Sequence, residues 1–230
     1  MNHSEGEEER RCAILFYGLP RSFLTMTLPS VIEHVILPNV AYDCHYFINY
    51  HYLTHEPQGR SGYGGTLDPN QVLMLEEALW QVKNKLATFP STHSRSLSSR
   101  VIIRFSNFTE AEFWNQNAVF LNKTRMTYDR TNSHLLYVPQ HDKSITLNQT
   151  DNIVRMWHSQ MAAWTLLEQA ARELQVNYTR VAMMRSDVLF LSPIDLWLDG
   201  RSTGTLDETN RVVVVPAFAK APVNDRTYEY

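Results

Sequence analysis

Short, continuously apolar segments alternate along this chain with longer segments in which apolar residues recur every three to four positions. The segments at 11–17 and 181–184 have no polar alternation, which is typical of strands covered on both faces in a parallel sheet. The aromatic-rich segment 42–52 and the segment 100–105 predict two further strands. A last apolar segment, at 211–218, is interrupted by a proline, which favours the edge of a sheet or a bulge.

The periodic segments predict helices between these strands. The first helix is expected to be capped by Thr27 or Ser30 and to end at Pro38. The second has Asp68 as its cap and Pro69 in its first turn. Its apolar stripe consists of Val72, Leu75, Leu79, Val82 and Leu86.

The second half of the chain predicts one short helix and one long helix. Thr109 and Glu112 form a capping box for the short helix, and the segment 115–148 has no clear periodicity. The long helix is expected to start at Asp151 or Asn152 and to end near residue 175. Its apolar side is assigned to Ile153, Met156, Trp157, Trp164, Leu167, Ala171 and Leu174, with Met161 as core filler.

Helices that alternate with parallel strands define an α/β domain, here with a mostly parallel, Rossmann-like sheet flanked by helices. The 230 residues are enough for one such domain, which we assign to residues 11–230. The acidic and almost entirely polar segment 1–10 predicts a disordered tail. No closing helix follows the segment 211–218, so we expect the domain to be truncated at its carboxyl end.

Composition and charge narrow the function classes. A formal net charge of -3 and a sequence pI of about 6.3 give no electrostatic basis for binding nucleic acid. We find no segment long and apolar enough to span a membrane, and no secretory signal at the start. Five glycosylation sequons favour the Golgi or endoplasmic reticulum lumen if this chain is part of a longer one, and the missing signal otherwise favours the cytoplasm. The sequons begin at Asn2, Asn107, Asn122, Asn148 and Asn177.

The two cysteines, Cys12 and Cys44, are too few for a disulfide framework. Each lies near the start of a predicted strand, and neighbouring strands are about 4.8 Å apart. We therefore expect the two side chains to lie near each other. Our expectation is that they are free thiols in the core rather than bonded.

Charged residues directly follow the apolar run at 181–184. Arg185 and Asp187 flank Ser186 before apolar residues return at 188–191. The carboxyl edge of a parallel sheet is where α/β domains bind ligands, and a charge within so apolar a segment is costly unless it is paired. Two interpretations are open: a ligand-binding pair, or a structural Arg185–Asp187 ion pair at the end of a core strand.

Two loops predict further parts of the same site. In the turn after the first strand, Gly18 permits a close backbone approach and Arg21 can bind a phosphate through its planar guanidinium. The glycine-rich segment 55–69 is either a mobile loop or a lid over a substrate, and it contains Arg60. Because parallel strands leave the sheet at the same edge, we expect these residues and 185–187 to converge on one cleft.

The order of the predicted elements resembles that of a GT-A glycosyltransferase. After a long helix, the chain has the form tyrosine, apolar run, Arg-x-Asp, aromatic, x, proline, and the opening segment 16–23 fits the first strand and nucleotide loop. The segment 225–228 loosely resembles a later Asp-Arg-aromatic motif, with Thr227 where an aromatic residue would be expected. The resemblance covers most of residues 11–226. Its central residues are Tyr178, Val181 to Met184, Arg185, Asp187, Phe190 and Pro193.

The resemblance implies transfer of a sugar from a nucleotide sugar to a glycan, protein or other acceptor. GT-A enzymes hold a divalent cation, Mn²⁺ or Mg²⁺, against the diphosphate with a DxD motif. Here Arg185 replaces the first Asp, so either Asp187 binds the metal with other ligands or Arg185 itself supplies the positive charge and no metal is needed. Asp225 and Asp187 are the candidate catalytic residues. The implied nucleotide-sugar-binding residues are Gly18, Leu19, Pro20, Arg21, Arg60, Arg185 and Asp187.

Two other functions remain open. A sulfotransferase would use the turn at 18–22 as a phosphate loop, although Phe23 and Leu24 stand where Gly-Thr would be wanted. A non-catalytic glycan-binding or scaffold domain would fit the incomplete DxD motif and the missing carboxyl end. His51 and His55 have a spacing useful for zinc, but no third ligand is evident, so we interpret them as ordinary polar positions.

Overall fold

Within the described part of the chain, the main sheet has four parallel strands connected by helices. The computed structural model describes residues 11–56, 58, 64–87, 101–127 and 147–197. The strands are β1 (Arg11–Gly18), β2 (His45–His51), β3 (His55–Glu56), β4 (Gly65–Thr66), β5 (Ile103–Phe108) and β6 (Tyr178–Arg185). The helices are α1 (Phe23–Tyr42), α2 (Met74–Ala87), α3 (Glu110–Thr127) and α4 (Leu147–Leu174).

The strand order in this sheet is β5-β2-β1-β6, and every neighbouring pair is parallel. From β1 the chain moves outward to β2 and β5, and it then crosses to the other side of β1 to form β6. The reversal lies between β1 and β6, and a reversal of this kind opens a crevice at the carboxyl ends of the two strands. β3 and β4 form a separate antiparallel pair.

The α/β class and the mostly parallel sheet are confirmed, but the strand limits are shifted. β2 begins at His45, later than the predicted start, and β5 covers 103–108 rather than 100–105. β5 pairs with β2 from Ile103 to Phe108. The limits of β5 are therefore set by its pairing with β2 and not by the composition of β5 itself.

Cys12 and Cys44 form a disulfide bond, so the expectation of free thiols is wrong. β1 and β2 are parallel neighbours as predicted, with Ala13 opposite His45. The two cysteines directly precede that pair, with a Cα–Cα distance of 4.6 Å, and both are buried. Bonding requires the two side chains to point towards each other. The strand register decides this, and the sequence alone did not give the register.

Helix α1 begins before the predicted caps and continues beyond the predicted end. Two stretches, Phe23–Thr27 and Ile32–Ile36, have wider π-helical turns. Thr27 and Ser30 lie inside the helix, where Ser30 Oγ donates to the Thr27 carbonyl at 2.8 Å. Neither residue caps the helix, because the first turn is formed by the residues before them.

Pro38 does not end α1, contrary to our expectation. Because proline has no N–H, residue 38 cannot bond to the carbonyl of His34, four positions earlier. That carbonyl accepts a hydrogen bond from the Ile194 N–H at 2.7 Å. Nearby, Asn39 Nδ2 donates to the Ile194 carbonyl at 2.6 Å and Asn39 Oδ1 accepts from the Leu196 N–H at 2.9 Å. The segment after β6 is therefore attached to this end of α1.

By length and composition, α1 could cross a membrane, with a mean hydropathy of 1.2 in the relevant window. The expectation that no segment meets this criterion is therefore wrong. Core helices of folded domains meet the same criterion, and Val31, Val35 and Ile36 are fully buried here. In this structure α1 packs as part of the domain.

The buried face of α4 agrees with the predicted one only in part: Leu167 is buried and Met156 packs against the same cluster, as expected. Ala163, Leu167 and Ala170 are buried in a core cluster with residues of β1 and β2. Met161, which we expected to fill the core, is 66% exposed, and Trp164 is exposed as well. Small residues allow the helix to approach the sheet closely. Periodicity analysis gave more weight to the large apolar residues, and several of these lie on the outer side.

The capping predictions for α2 and α3 are confirmed. Asp68 Oδ1 accepts from the Asn70 N–H at 3.1 Å, ahead of a 3₁₀ turn that leads into α2. Thr109 Oγ1 accepts from the Glu112 N–H at 3.3 Å, and Glu112 Oε2 accepts from the Thr109 N–H at 2.7 Å. Helix α3 has 18 residues rather than being short. In the predicted stripe, all members whose side chains are described are buried, namely Val72, Leu75, Leu79 and Val82.

By its internal contacts, the chain divides into two units, with the boundary between Leu196 and Trp197. The structure describes only Trp197 of the second unit. Some predicted features lie outside the described residues: the tail at 1–10, Arg60, the strand at 211–218 and Asp225.

Candidate functional site at the carboxyl edge of the sheet

The carboxyl ends of β1 and β6 lie side by side, because Tyr17 is paired with Arg185 in the parallel ladder. The chain leaves β1 through the turn at 18–22 and leaves β6 through 185–187. Ser186 connects the segment after β6 to the end of β1, because its N–H and its Oγ both donate to the Tyr17 carbonyl, at 2.9 and 3.1 Å. The candidate site thus lies where the strand order reverses, which is where α/β sheets bind ligands.

A buried hydrogen-bond network fixes the start of the turn after β1. Gly18 has a φ of 102°, which favours glycine, although a Cβ there would be in ordinary contact with Ser186 Oγ at 3.9 Å. The Gly18 N–H donates to Ser159 Oγ on α4 at 2.9 Å. The Ser159 hydroxyl lies 2.9 Å from the Asn49 carbonyl and 2.8 Å from Asn49 Oδ1. Asn49 Nδ2 donates to Ser106 on β5 at 2.8 Å. The turn therefore depends on α4, β2 and β5.

Replacing Ser159 by Ala is expected to lower the free energy of unfolding by about 1–3 kcal/mol, because the Gly18 N–H loses a buried acceptor. Urea denaturation followed by circular dichroism measures the change. Thr165→Ala is the matched control: Thr165 is exposed on the same helix and its Oγ1 donates to the Met161 carbonyl. This control should change stability by less than about 0.5 kcal/mol. Equal losses in the two variants would contradict the network.

Four charged side chains form an ion-pair network at the mouth of the crevice. Arg21 donates from Nε to Glu56 Oε2 at 2.7 Å and from Nη2 to Glu56 Oε1. Its Nη1 donates to Asp187 Oδ2 at 2.6 Å. Arg185 donates to the same carboxylate, from Nε to Oδ1 at 2.9 Å and from Nη2 to Oδ2 at 2.8 Å. Two guanidinium groups therefore share Asp187, and the paired geometry is typical of strong Arg–carboxylate recognition.

The network stabilises the charged form of both guanidinium groups, which stay protonated at any working pH. Hydrogen bonding to Glu56 raises the pKa of Arg21 and outweighs burial, with a further contribution from Asp187. Hydrogen bonding to Asp187 raises the pKa of Arg185, again against burial. The Asp187 side chain is 8% exposed, whereas that of Arg185 is 47% exposed. The carboxylate is thus covered, and Arg185 remains accessible to an anionic ligand.

The described residues do not fit a divalent cation at Asp187. Both of its carboxylate oxygens already accept hydrogen bonds from guanidinium groups. Within the described ranges, no group of three or more His, Cys, Asp or Glu side chains could hold a metal ion. A hard cation requires several oxygen ligands, and Glu56, the other carboxylate of this network, is itself bonded to Arg21. The exposed guanidinium of Arg185 is the part of the network that an anion can reach.

The structure brings Arg21, Arg185 and Asp187 into direct contact, as the convergence hypothesis required. The structural ion pair that we considered as an alternative is therefore also present, with Arg21 as an added partner. Leu19 contributes its carbonyl, which accepts the Arg21 N–H at 2.9 Å. Pro20 is buried. Arg60 and Asp225 lie outside the described residues, so their relation to this site stays a prediction.

Tyr178, the first residue of the stretch that carries the resemblance, lies at the opposite end of β6. Its hydroxyl is 2.6 Å from His45 Nδ1, and its ring packs edge-on against Phe47 with the centroids 5.9 Å apart. Burial raises the pKa of Tyr178 to about 12. These contacts lie at the amino edge of the sheet, so Tyr178 has a structural position rather than a place in the candidate site.

A second polar cluster lies at the carboxyl ends of β2 and β5. His51 is buried, and its ring stacks on Phe108 with the centroids 4.8 Å apart. Its Nε2 lies 3.3 Å from Glu110 Oε2, an ion-pair distance without hydrogen-bond geometry. Arg155 of α4 binds Glu110 with two hydrogen bonds, one of them from Nε to Oε2 at 3.1 Å, and lies over the Phe113 ring. These contacts join α3 and α4 to the sheet.

Acidification from about pH 6.5 to about pH 4 is expected to destabilise the protein through His51. Burial lowers the pKa of His51 to about 4, although the Glu110 carboxylate acts to raise it. In this range the unfolded chain binds a proton that the folded protein does not. The free energy of unfolding therefore falls by up to about 1.4 kcal/mol per pH unit. His158, whose pKa is also lowered by burial, acts in the same direction.

Urea denaturation between about pH 5 and pH 6.5, above the range in which carboxylates titrate, measures this effect. His51→Phe keeps an aromatic ring on Phe108 and should make the pH dependence shallower. His55→Phe is the control, since His55 is exposed on β3, and it should leave the slope as in the unmodified protein. Identical slopes in all three proteins would show that His51 does not titrate as its burial requires.

Sequence analysis did not find Glu56, Asn49 or Ser159. Asn49 did carry a signal, because it is an amide within an aromatic-rich strand. Ser159 shares a helix face with the buried Ala163, and small residues at that spacing indicate close packing. Glu56 gave no signal, since only the path of the chain through β3 brings its carboxylate to Arg21.

Comparison with known proteins found no matching family model, no matching curated protein and no matching solved structure. The class that the fold itself defines is an α/β domain with a mostly parallel sheet. Its ion-pair network of Arg21, Glu56, Arg185 and Asp187 lies at the carboxyl ends of β1 and β6. Inference about function therefore depends on the chemistry of this chain's own residues.

Proposed function

We propose that this protein is a GT-A-like glycosyltransferase that transfers a sugar from a nucleotide sugar to a glycan or protein acceptor. The observation that carries the proposal is the contact between Arg21 Nη1 and Asp187 Oδ2 at 2.6 Å. These residues come from the two loops whose sequences resemble a nucleotide loop and a modified DxD motif. We interpret the strand order β5-β2-β1-β6 as that of a Rossmann-like sheet. The contact lies where this strand order reverses, between β1 and β6, and such sheets bind ligands there.

In this proposal the guanidinium groups of Arg185 and Arg21 bind the donor's diphosphate directly. A planar guanidinium can donate two parallel hydrogen bonds to phosphate oxygens. Asp187 holds both groups from the buried side, and Glu56 holds Arg21 from the β3 side. The positive charge that GT-A enzymes obtain from a cation would here come from arginine, so we propose that donor binding needs no metal.

The remaining roles fall to residues outside the described ranges. Asp225 is our candidate for contacting the sugar or removing the acceptor's proton, and Arg60 is our candidate for a further donor contact. Arg60 follows Glu56 by four positions in the sequence, which favours a place near the same crevice. If Asp225 removes the acceptor's proton, Asp225→Asn should lower turnover while donor affinity stays close to that of the unmodified protein; if it contacts the sugar, donor affinity should fall as well.

A panel of nucleotide sugars, tested by thermal and chemical denaturation, identifies the donor. A donor at one hundred times its Kd adds about 2.7 kcal/mol to the free energy of unfolding. We expect the same stabilisation with EDTA as with Mn²⁺. If EDTA abolishes it, donor binding requires a metal and the metal-free proposal is wrong. If no nucleotide sugar stabilises the folded protein, the glycosyltransferase proposal is wrong.

Turnover separates an enzyme from a binding domain. The stabilising donor is incubated with candidate acceptors, and release of the nucleoside diphosphate is measured. Release that depends on the acceptor supports glycosyl transfer. Donor binding without release under all acceptor conditions would favour the non-catalytic glycan-binding alternative.

The hydrogen bonds of the turn after β1 argue against a sulfotransferase. A phosphate loop presents free backbone N–H groups to its ligand. Here the Gly18 N–H donates to Ser159 Oγ and the Arg21 N–H donates to the Leu19 carbonyl. A sulfonate donor added to the panel should therefore give no stabilisation.

A further inference from the structure

The disulfide between Cys12 and Cys44 indicates the environment in which this protein folds. Disulfides form and persist in oxidising compartments and are rare in the cytosol. Both sulfur-bearing side chains are buried in the core, so the bond is part of the folded structure rather than an exposed redox site. Secretory compartments are also where Asn-x-Ser/Thr sequons are glycosylated.

The structure distinguishes between the sequons. Asn107, Asn122 and Asn177 have described side chains, and all three are exposed. Asn107 lies in β5, where its Nδ2 donates to the Tyr50 hydroxyl at 3.3 Å, and its sequon hydroxyl belongs to Thr109, which caps α3. Asn122 lies within α3. Of these three, only Asn177 lies in a connection between elements, after α4 and before β6.

We propose that Asn177 is an N-glycosylation site. In the modification, Asn177 Nδ2 attacks C1 of an oligosaccharide carried on a lipid diphosphate. The N–C1 bond forms, the C1–O bond to the diphosphate breaks, the lipid diphosphate leaves, and one amide proton passes to a base of the modifying enzyme. Asn177 lies just outside the β1–β6 ladder, whose first pair is Arg11 with Tyr178.

A glycan at Asn177 would lie far from the candidate site. Asn177 immediately precedes the first residue of β6, whereas Arg185 is the last. Eight strand residues span roughly 25 Å. The glycan would therefore cover the amino edge of the sheet and leave the crevice at the carboxyl edge open. This inference does not depend on the proposed glycosyltransferase function.

The test uses the complete natural protein produced in eukaryotic cells, with peptide mass spectrometry before and after digestion with an N-glycosidase. We expect the peptide that contains Asn177 to carry a glycan, and enzymatic release should leave Asp at that position. Thr179→Ser preserves the sequon and should retain the glycan. Thr179→Ala and Asn177→Gln should each lose it, and Asn177→Gln, which keeps the Thr179 hydroxyl, should have a melting temperature near that of the deglycosylated protein.

Thr179→Ser and Thr179→Ala are a matched pair, because Thr179 Oγ1 donates to the Arg11 carbonyl at 3.3 Å and serine can keep that bond. Asn177→Gln leaves Thr179 in place, so loss of the glycan in both Asn177→Gln and Thr179→Ala identifies the sequon. An unmodified Asn177 in the natural protein overturns the proposal. Free thiols at Cys12 and Cys44 in the same unreduced sample would overturn the argument from the compartment.

Discussion

Asp187→Asn is expected to weaken nucleotide-sugar binding by at least about tenfold, which corresponds to about 1.4 kcal/mol. The substitution keeps the size of the side chain but removes the charge that orients two guanidinium groups. Asparagine keeps only one accepting oxygen, so Arg185 loses its two-point contact, and the bonds that remain to Arg185 and Arg21 are no longer to a charged group. Both groups then spend less time in the arrangement that binds a diphosphate. Titration calorimetry with the donor found in the panel measures the change.

The same variant should lose only about 1–3 kcal/mol of stability. Arg185 is half exposed and Arg21 keeps its contacts with Glu56. Neither charge is left both buried and unpaired, so the larger loss from a broken buried ion pair is not expected. A large loss of stability with unchanged donor affinity would mean that the Arg185–Asp187 pair is purely structural.

Asp195→Asn is the matched control for Asp187→Asn. Asp195 lies in the segment that follows β6, and its Oδ2 accepts from the Tyr42 hydroxyl at 3.3 Å, away from the crevice. Donor affinity in this variant should equal that of the unmodified protein. A tenfold loss in both variants would indicate a general disturbance of the segment rather than a role for Asp187 in the site.

Replacing both Cys12 and Cys44 by alanine is expected to lower the free energy of unfolding by about 3–4 kcal/mol. The cysteines are 32 positions apart, and closing a loop of that length in the unfolded chain accounts for a loss of this size in the chain-entropy model. Alanine is chosen because both positions are buried and a serine hydroxyl there would need a partner. Urea denaturation without reductant measures the difference.

Reduction of the unmodified protein provides the control for this variant. A thiol reductant under denaturing conditions should bring the stability of the unmodified protein close to that of the double alanine variant, which should itself be insensitive to reductant. Donor affinity of the variant should change little, because the disulfide lies at the amino edge of the sheet. A denaturation midpoint of the unmodified protein that is the same with and without reductant would contradict the bond.

The sequence was sufficient to predict the class of fold, because a strand covered on both faces needs an almost unbroken apolar run. The run that became β1 is of this kind, since its interior residues are all buried. For β6 the expectation of two covered faces is wrong, because Val181 and Met183 on one face are exposed in the described structure. The polar turns at 18–22 and 185–187 follow those runs directly. Once both strands were assigned to a parallel sheet, their carboxyl ends had to lie at one edge. The position of the candidate site therefore followed from local patterns and a single topological rule.

Apart from the Arg185–Asp187 pair, whose residues are two positions apart, the contacts within the site followed from no local pattern. Glu56 reaches Arg21 only because β3 leads the chain back beside the first turn, and Ser159 reaches Gly18 only because small residues bring α4 close to the sheet. The disulfide at Cys12 likewise depends on the register between β1 and β2. Apolar periodicity indicates which secondary structure a segment forms and which of its faces is apolar. Distances between residues far apart in the sequence depend on register and packing, which many segments determine together, so only the tertiary structure decided them.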